Sequence, residues 1–241
     1  MPFTKYGLRE LFLFGFAIPG ALWVGVWALA WFVHPALWAV GVIPLFLTGF
    51  NLNFFRDPDR PLPGDEFTVV SPADGTVTDV GEKQLDEYLK GKHQGIGIFL
   101  SVFDVHVNRA PLDGTLEYSR HQDGEYRDAR DPECSILNEA QNLGFKSKWG
   151  PRYYVRQITG LIARRIVLGI KEGEQVKRGE RFGMLKFGSR TELYFDNDFE
   201  VEWKVKVGDK VKGGGTVIAI IKVLAGVSAK PDGETALATK T

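Results

Sequence analysis

The hydrophobic pattern divides the chain into an apolar N-terminal part and a longer mixed part. From Leu11 to Phe50 there is no Asp, Glu, Lys or Arg, and the run is rich in Leu, Phe, Trp, Val and Ala. A helix over Leu11–Val33 is long enough to cross a hydrocarbon core of about 30 Å. His34-Pro35 then interrupts the helical pattern. The pattern therefore predicts a membrane-anchoring helical hairpin over residues 1–50.

Basic residues flank the hairpin at both ends: Lys5, Arg9, Arg56 and Arg60. Because positive residues concentrate on the cytoplasmic side of membrane helices, both ends are expected in the cytoplasm. We therefore expect the inner cell membrane as the location, with the following domain facing the cytoplasm. Whether the second apolar segment spans the bilayer or only dips into it stays open.

The rest of the chain has β character. Residues 51–66 are charged and rich in proline, which is typical of a linker. Residues 123–150 are more polar and predict an irregular loop with one short helix, and residues 226–241 predict a flexible tail. A mainly β domain is expected over residues 67–225, with strand-like runs at Val69-Val70, Gly95–Val102, Tyr153–Val167 and Val201–Val207.

Two short internal echoes refine this prediction. Pro72–Val77 resembles Pro111–Leu116, and Gly173–Gly179 resembles Gly208–Gly214. In the first pair an Asp-Gly turn leads into a strand. In the second pair glycines permit tight turns on both sides of an inward-facing valine. The combination resembles the barrel-sandwich hammerhead of lipoyl and biotinyl domains, and it predicts a compact barrel of short strands with some short helices.

Composition excludes several classes of protein. The 30 Lys and Arg residues balance 30 Asp and Glu residues, whereas a general nucleic-acid binder shows a basic excess. The single cysteine, Cys134, excludes an intrachain disulfide and a multi-cysteine metal site. No group of His, Cys and carboxylate residues has metal-ligand spacing, so we predict no metal.

Six segments carry the most specific information by their order and spacing: Phe54–Pro58, Ser71–Gly75, Phe99–Arg109, Gln157–Gly160, Ala163–Arg165 and Phe187–Arg190. Through them the chain resembles the short-form phosphatidylserine decarboxylase proenzymes. The resemblance implies a membrane-bound lyase of phospholipid biosynthesis. Its substrate would be phosphatidylserine or an archaeal-type serine phospholipid, and its product the ethanolamine phospholipid. The cofactor implied is covalent pyruvate, a pyruvoyl group made from the chain itself.

Gly188-Ser189 is the self-cleavage site that the resemblance implies. A serine hydroxyl attacks the preceding carbonyl only where the backbone is bent, and glycine permits that bend. The products would be a β chain, residues 1–188, and an α chain, residues 189–241, that begins with a pyruvoyl group derived from Ser189. This group would form a Schiff base with the substrate amine and take up the electrons left by CO2, as pyridoxal phosphate does elsewhere.

One histidine is the candidate for proton transfer. His106 is chosen because an ordinary imidazole titrates near neutral pH, which suits a general acid or base. Either Asp74 or Asp104 would support it as the third group of a triad. Asp104 lies two residues from His106, on the same face of a strand, whereas only the resemblance favours Asp74 over Asp113.

Three arginines are candidate substrate contacts. Arg109 offers a cation for a phosphate or carboxylate, and Arg164 and Arg165 either do the same or pair with acidic side chains. Longer bacterial members of the family carry two histidines near His106, and here Arg109 stands at about the place of the second. One histidine would then serve both self-cleavage and decarboxylation. Phe54 and Phe55 are expected at the membrane interface.

The expected partners are the phospholipid substrate, the membrane and the two chains of one proenzyme. A homo-oligomer, the acyl preference and the lipid backbone are left open. Two other functions remain as alternatives. One is a membrane-tethered lipoyl-like or biotinyl-like carrier or adaptor, in which Lys186 would be the modified lysine. The other is an unprocessed, inactive homologue that acts as a scaffold.

Overall fold

The computed structural model describes residues 3–131, 133–161, 165–186 and 188–224, so the predicted tail at 226–241 lies outside it. Its helices are α1 Lys5–Phe32, α2 Pro35–Phe54 and α3 Cys134–Leu137. Its strands are β1 Thr68–Val70, β2 Gly75–Leu85, β3 Gly91–Leu100, β4 Val107–Arg109, β5 Gly114–Gln122, β6 Ala140–Ser147, β7 Arg152–Ile158, β8 Arg165–Leu168, β9 Gln175–Val176, β10 Arg181–Lys186, β11 Ser189–Phe195, β12 Phe199–Trp203, β13 Lys210–Val211 and β14 Val217–Val223. The prediction of a mainly β protein with an N-terminal apolar hairpin is confirmed.

Helices α1 and α2 form the hairpin. Each is long and apolar enough to cross a membrane, judged by length and composition. His34 lies at the tip, where its Nδ1 accepts a hydrogen bond from the Ala36 N–H and begins α2. Near the base, the Asn51 amide donates to the carbonyl oxygens of Phe14 (3.2 Å) and Leu47 (2.8 Å). This side chain therefore ties the two helices together.

The hairpin ends later along the chain than the sequence pattern predicted. Helix α2 continues to Phe54, into the segment predicted as linker. Phe54 and Phe55 are fully buried rather than lying at a membrane interface, because they pack with Leu11 and Met184 where the hairpin meets β10. The base of the hairpin is therefore part of the core of the β domain.

The strands form three antiparallel sheets. The largest has the order β13-β2-β3-β11-β7-β6-β5-β9, and the two smaller sheets have the orders β1-β14-β12 and β4-β10-β8. Strand β6 occupies part of the segment predicted as an irregular loop, and α3 is the short helix expected there. No strand was predicted there because polar side chains such as Asn142 interrupt the apolar pattern of β6. Asn142 is buried, and its Oδ1 accepts a hydrogen bond of 2.9 Å from Arg156 on β7.

The two sequence echoes occupy equivalent positions in the fold. Each copy of the first echo pairs with one copy of the second: Gly75 pairs with Val211, and Gly114 pairs with Val176. The carboxylates of the two Asp-Gly turns also act alike: Asp74 accepts the Gly213 N–H (2.8 Å) and Asp113 accepts the Arg178 N–H (2.7 Å). One copy of each echo therefore forms a strand-and-turn unit, and the two equivalent units lie at opposite ends of the main sheet.

Strand β11 crosses the middle of the main sheet and positions the candidate site. It pairs with β3 on one side and β7 on the other. Because side chains alternate along a strand, Ser189, Thr191 and Leu193 point to one face, and Arg190 and Glu192 point to the other. Residues Ile98, Leu112, Phe145 and Phe182 form part of the main core together with Leu193.

Candidate active site

Ser189 begins β11 directly after a sharp backbone bend. Gly188 has a φ of +70°, a conformation that glycine adopts readily and other residues rarely do. The Ser189 side chain is fully buried, and its Oγ has no hydrogen-bond partner in the described part of the chain. A buried hydroxyl without a partner costs free energy, and a catalytic role is one of the reasons for which native structures retain such a group. In the described structure the Ser189 hydroxyl therefore makes no hydrogen bond and lies next to the bent Gly188-Ser189 peptide.

His106 directs one ring nitrogen at the same bend. The Gly188 N–H donates to His106 Nε2 over 3.1 Å, and His106 Nδ1 lies 2.9 Å from the Asp104 carbonyl oxygen. Since a carbonyl oxygen only accepts, the proton must be on Nδ1 and the lone pair on Nε2. The basic nitrogen therefore faces residue 188.

Burial keeps this histidine neutral. The His106 side chain is fully buried, and its ring packs on the Phe54 ring with centroids 4.5 Å apart. This desolvation lowers the pKa of His106 to about 4, against the opposing effects of the Asp104 carbonyl and the carboxylates of Asp104 and Asp74. At neutral pH the imidazole is therefore a free base. The hairpin supplies a wall of the site through Phe54.

The two candidate aspartates have different positions. The Asp104 carboxylate accepts the Ser101 N–H (2.8 Å), which closes a turn, and its backbone carbonyl rather than its carboxylate orients His106. Asp74 forms two hydrogen bonds with the Arg60 guanidinium, of 2.6 and 2.8 Å. The structure gives Asp74 no hydrogen bond to His106, so its catalytic role stays a prediction.

The candidate arginines that the structure describes have protein partners. Arg109 is buried and donates to the Asp57 carboxylate over 2.8 Å. Arg165 is exposed and lies 3.4 Å from Glu10 at the base of the hairpin. Arg164 lies outside the described residues. Contacts from these arginines to a substrate therefore stay predictions.

A cavity of about 330 Å³ reaches Gly188. Its other lining residues are mostly apolar: Phe99, Ser101, Val102, Phe103, Asp128, Ala129, Arg130 and Leu161. Asp128 and Arg130 form an ion pair of 2.5 Å in the loop before α3. Sequence reasoning did not identify these loop residues, and the only signal was the unusual length of the segment. A second cavity, of about 350 Å³, includes Ser135 and Arg156 in its lining but none of the candidate residues.

Gly160 packs against the carbonyl group of Gly188. A Cβ atom at this position would overlap the Gly188 carbonyl oxygen and lie within 3.2 Å of the Gly188 carbonyl carbon. Only a residue without a side chain lets the two backbones approach this closely. Gly160 lies in one of the sequence segments singled out above, but no role was assigned to it.

A buried charge cluster holds the residue that follows Ser189. The Arg190 guanidinium donates to Glu192 (2.7 Å), to the Thr78 hydroxyl (2.7 Å) and to Asp79. Burial alone would raise the pKa of Glu192, but the cations of Arg190 and Arg156 lower it to about 2. The cluster lies on the opposite face of the sheet from Ser189. It therefore anchors β11 without occupying the site.

Comparisons with known proteins give a consistent result. The family described as phosphatidylserine decarboxylase matches residues 47–219. The phosphatidylserine decarboxylase proenzyme of Carboxydothermus hydrogenoformans is 46% identical over 183 residues, which cover 76% of this chain and 85% of that protein. The proenzyme of the same name from Symbiobacterium thermophilum is 43% identical over 204 residues, covering 85% of this chain and 92% of the relative. The one from Salinibacter ruber is 40% identical over 206 residues, covering 84% and 86%.

Proposed function

Since the chain belongs to the phosphatidylserine decarboxylase family and is a decarboxylase, we propose that it cuts itself at Gly188-Ser189 and uses the resulting pyruvoyl group. Its substrate is then the serine headgroup of phosphatidylserine. The observation that carries the proposal is the buried Ser189 hydroxyl, which has no hydrogen-bond partner among the described residues and lies beside a glycine with a φ of +70°. The relatives are named proenzymes, which supports a precursor that must be cut.

The proposed cleavage uses only residues of the chain and one water. Ser189 Oγ attacks the Gly188 carbonyl carbon, and the peptide nitrogen leaves as the amine of residue 189, so an ester replaces the amide. Removal of the α-proton of residue 189 then expels Gly188 as a carboxylate and leaves dehydroalanine. This tautomerises to an imine, which water hydrolyses to the pyruvoyl group and ammonia.

His106 is the group placed to move protons in these steps. Its basic Nε2 already contacts the amide of Gly188, and the Asp104 carbonyl fixes the ring orientation. A neutral imidazole takes the hydroxyl proton of Ser189 and returns it to the leaving nitrogen. We assign the same nitrogen as the base for the decarboxylation that follows.

The residues around Ser189 also fit the group that it would become. A pyruvoyl group at residue 189 would supply a carbonyl for the substrate amine and a sink for the electron pair that remains when CO2 leaves. The cavity at Gly188 has apolar walls from Phe99, Val102 and Leu161. Such walls disfavour a charged carboxylate relative to neutral CO2. Arg130 is the cation on this cavity, and it is available to a phosphate that displaces Asp128.

The apolar hairpin fits a substrate whose acyl chains stay in a bilayer. Both helices have the length and composition of membrane spans. We place the protein at the inner cell membrane with its β domain in the cytoplasm, on the basis of the basic residues that flank the hairpin. This location and the cytoplasmic orientation are part of the proposal.

The carrier alternative receives no support from the structure. Lys186 is buried at the end of β10, and its Nζ lies 2.7 Å from Glu10. A lysine that carries a swinging cofactor must be exposed at a turn. An activity assay distinguishes the scaffold alternative from the proposed enzyme, because an inactive homologue releases no CO2.

The proposed activity can be tested with a carbonyl reagent. We expect purified protein to release CO2 from phosphatidylserine labelled in the serine carboxyl, and hydroxylamine to stop this release by reacting with the pyruvoyl carbonyl. CO2 release that persists after hydroxylamine treatment would exclude a pyruvoyl enzyme. No release from untreated, membrane-reconstituted protein would favour the inactive scaffold.

Gly160→Ala is expected to block cleavage without unfolding the chain. The added Cβ displaces the Gly188 carbonyl from its present position. A shift of about 1 Å in a reacting group costs roughly 100-fold in rate. The uncut fraction of newly synthesised chain, followed on a denaturing gel, measures the effect.

Gly49→Ala is the matched control, because a Cβ there meets no atom within 4 Å. Normal cleavage of Gly160→Ala would show that this close approach has no role.

Arg190→Met is expected to separate cleavage from decarboxylation. Before cleavage, residue 189 is held by the chain on both sides; afterwards, only Arg190 and the β-ladder hold the new terminus. The variant should therefore be cut, yet have a kcat for CO2 release lower by roughly 100-fold, with a smaller change in KM. Arg190→Lys, which keeps the charge, should recover part of kcat.

Arg156→Met is the control for this prediction. Arg156 contacts the same Glu192 carboxylate (3.5 Å) from β7, but it is not attached to the new terminus. If the two variants lose kcat equally, Arg190 has only a structural role in the charge cluster. If Arg190→Met is not cut while Arg156→Met is, the anchor acts before cleavage rather than after it.

A further inference from the structure

Two large apolar side chains stand exposed on the cavity that reaches Gly188. Phe103 and Leu161 both line this cavity, and each leaves 66% of its surface exposed. They belong to different parts of the chain: Phe103 to the turn between β3 and β4, and Leu161 to the segment after β7. Exposed apolar residues that converge on one opening mark an interaction surface.

This opening lies beside the hairpin. The Phe103 ring meets the Phe50 ring of α2 edge-on, with centroids 6.5 Å apart. The Phe103 carbonyl accepts a hydrogen bond of 2.8 Å from Arg56, just beyond the end of α2. Phe50 precedes the last residue of α2, Phe54, by four positions, which is about 6 Å along a helix axis. The Phe103 ring therefore lies against the apolar part of α2, while its backbone is bonded to the cation that follows the helix, as expected at a boundary between acyl chains and headgroups.

The charges near the opening suit a layer of lipid phosphates. Arg56 lies between the hairpin and the Phe103 turn, and Arg130 lines the cavity. The acidic group on the cavity is Asp128, which is already paired with Arg130. Arginine is the side chain that best matches a phosphate, and its apolar stem tolerates the membrane interface.

We propose that Phe103 and Leu161 insert into the bilayer interface beside the hairpin, so that the cavity opens directly into the layer of phospholipid headgroups. The inference deepens the proposed function, because a serine phospholipid then reaches residue 189 while its acyl chains remain in the membrane. The insertion itself depends on the hairpin and the folded β domain. It does not depend on cleavage or on decarboxylation.

Site-specific labelling tests the insertion directly. Cys134 is the only cysteine of the chain and is buried, so Phe103→Cys and Leu161→Cys can be labelled selectively with a polarity-sensitive fluorophore. The protein is reconstituted into phosphatidylcholine and phosphatidylglycerol vesicles, with and without lipids that carry a quencher on the upper acyl chain. Ile136→Cys is the control: Ile136 is 75% exposed but lines the other cavity.

We expect quenching at positions 103 and 161 and little at position 136. Equal quenching at all three positions, or none at 103 and 161, would overturn the insertion. This readout requires no catalysis, so it still decides the question if the proposed cleavage is wrong. Conversely, active protein without quenching would refute the insertion and leave the proposed function intact.

Kinetics on two forms of the substrate give a second test. Phe103→Ser removes an apolar side chain, and we expect KM for phosphatidylserine in vesicles to rise about tenfold, since burial of one such side chain is worth at least that factor in affinity. The rise should be smaller for a short-chain phosphatidylserine dissolved as monomers. Ile136→Ser should change neither value. An equal rise for both substrates would show that Phe103 contacts the lipid only inside the cavity, and would contradict the insertion.

Discussion

Ser189→Ala is expected to yield a single uncut chain without decarboxylase activity. The reason is chemical: alanine has no oxygen to attack the Gly188 carbonyl and cannot become a pyruvoyl group. The fold should survive, because the substitution removes a buried hydroxyl that has no hydrogen-bond partner in the described structure, and loss of such a group is nearly neutral or stabilising. A denaturing gel and a CO2-release assay on the same preparation measure both effects.

Ser147→Ala is the matched control for this variant. Ser147 is also buried, and its Oγ is likewise without a partner in the described residues. It lies at the end of β6, where it pairs with Gly114. We expect this control to be cut and active. CO2 release by Ser189→Ala would remove residue 189 from the reaction and with it the pyruvoyl assignment.

His106→Ala is expected to slow both reactions. Loss of a positioned general base costs roughly 100-fold to 10,000-fold in rate, and His106 Nε2 is the basic nitrogen that contacts residue 188. Cleavage of newly synthesised chain should therefore be slow, and CO2 release per cut chain should fall as well. Full turnover by the cut variant would transfer the proton role elsewhere, with Asp74 and Asp104 as the next candidates.

The pH dependence of cleavage checks the same role. Burial lowers the pKa of His106 to about 4, so the imidazole is a free base at neutral pH and is protonated only as the pH falls through about 4. The rate of cleavage should accordingly be level near neutrality and decline toward pH 4. Because the unfolded histidine takes up a proton near pH 6.5, the contribution of His106 to stability is complete above that pH and is lost as the pH falls toward 4. Circular dichroism must therefore confirm a folded chain at each pH.

His93→Ala controls for the loss of a buried histidine. His93 is also buried, and its ring nitrogens lie 3.1 and 3.2 Å from the carbonyl oxygens of Phe195 and Lys90. It should be less stable than the parent chain but still be cut at neutral pH. If both histidine variants lose cleavage to the same extent, the effect of His106→Ala is one of folding.

The sequence predicted the architecture because its signals are local. An apolar run broken at His34-Pro35 specifies the hairpin. The two Asp-Gly turns of the first echo specify two strand-and-turn units that the structure shows in the same register. The equivalence of Asp74 and Asp113 was visible in the sequence as a shared turn context. The structure gives it a physical meaning, since both carboxylates accept a backbone N–H from the paired turn.

The surroundings of the site depend on long-range contacts that no local pattern encodes. Phe54 and Phe55 looked like interfacial aromatics, yet they are buried against Leu11 and Met184. The hydrogen bond between His106 Nδ1 and the Asp104 backbone carbonyl could not be predicted from the side-chain types in the sequence. Gly160 ends one of the segments that carry the resemblance, but only the approach of its backbone to Gly188 shows why no side chain fits there.

The charged residues show the same limit. A substrate contact from Arg109 stays a prediction, and the sequence could not show that the chain brings Asp57, more than fifty positions away, within 2.8 Å of its guanidinium. Arg190 and Glu192 are two residues apart, and the sequence could not reveal that both are buried in one cluster with Asp79 and Arg156. Burial of charge is decided by which elements meet, and the spacing of charges along the chain does not determine that.

The most direct measurement is the mass of the purified, membrane-extracted protein and of its parts under denaturing conditions. Self-cleavage predicts two polypeptides, residues 1–188 with a free carboxyl end and residues 189–241 with a pyruvoyl group in place of an amino-terminal serine. One polypeptide with the mass of all 241 residues and an unaltered serine at position 189, in a preparation that decarboxylates phosphatidylserine, would contradict it.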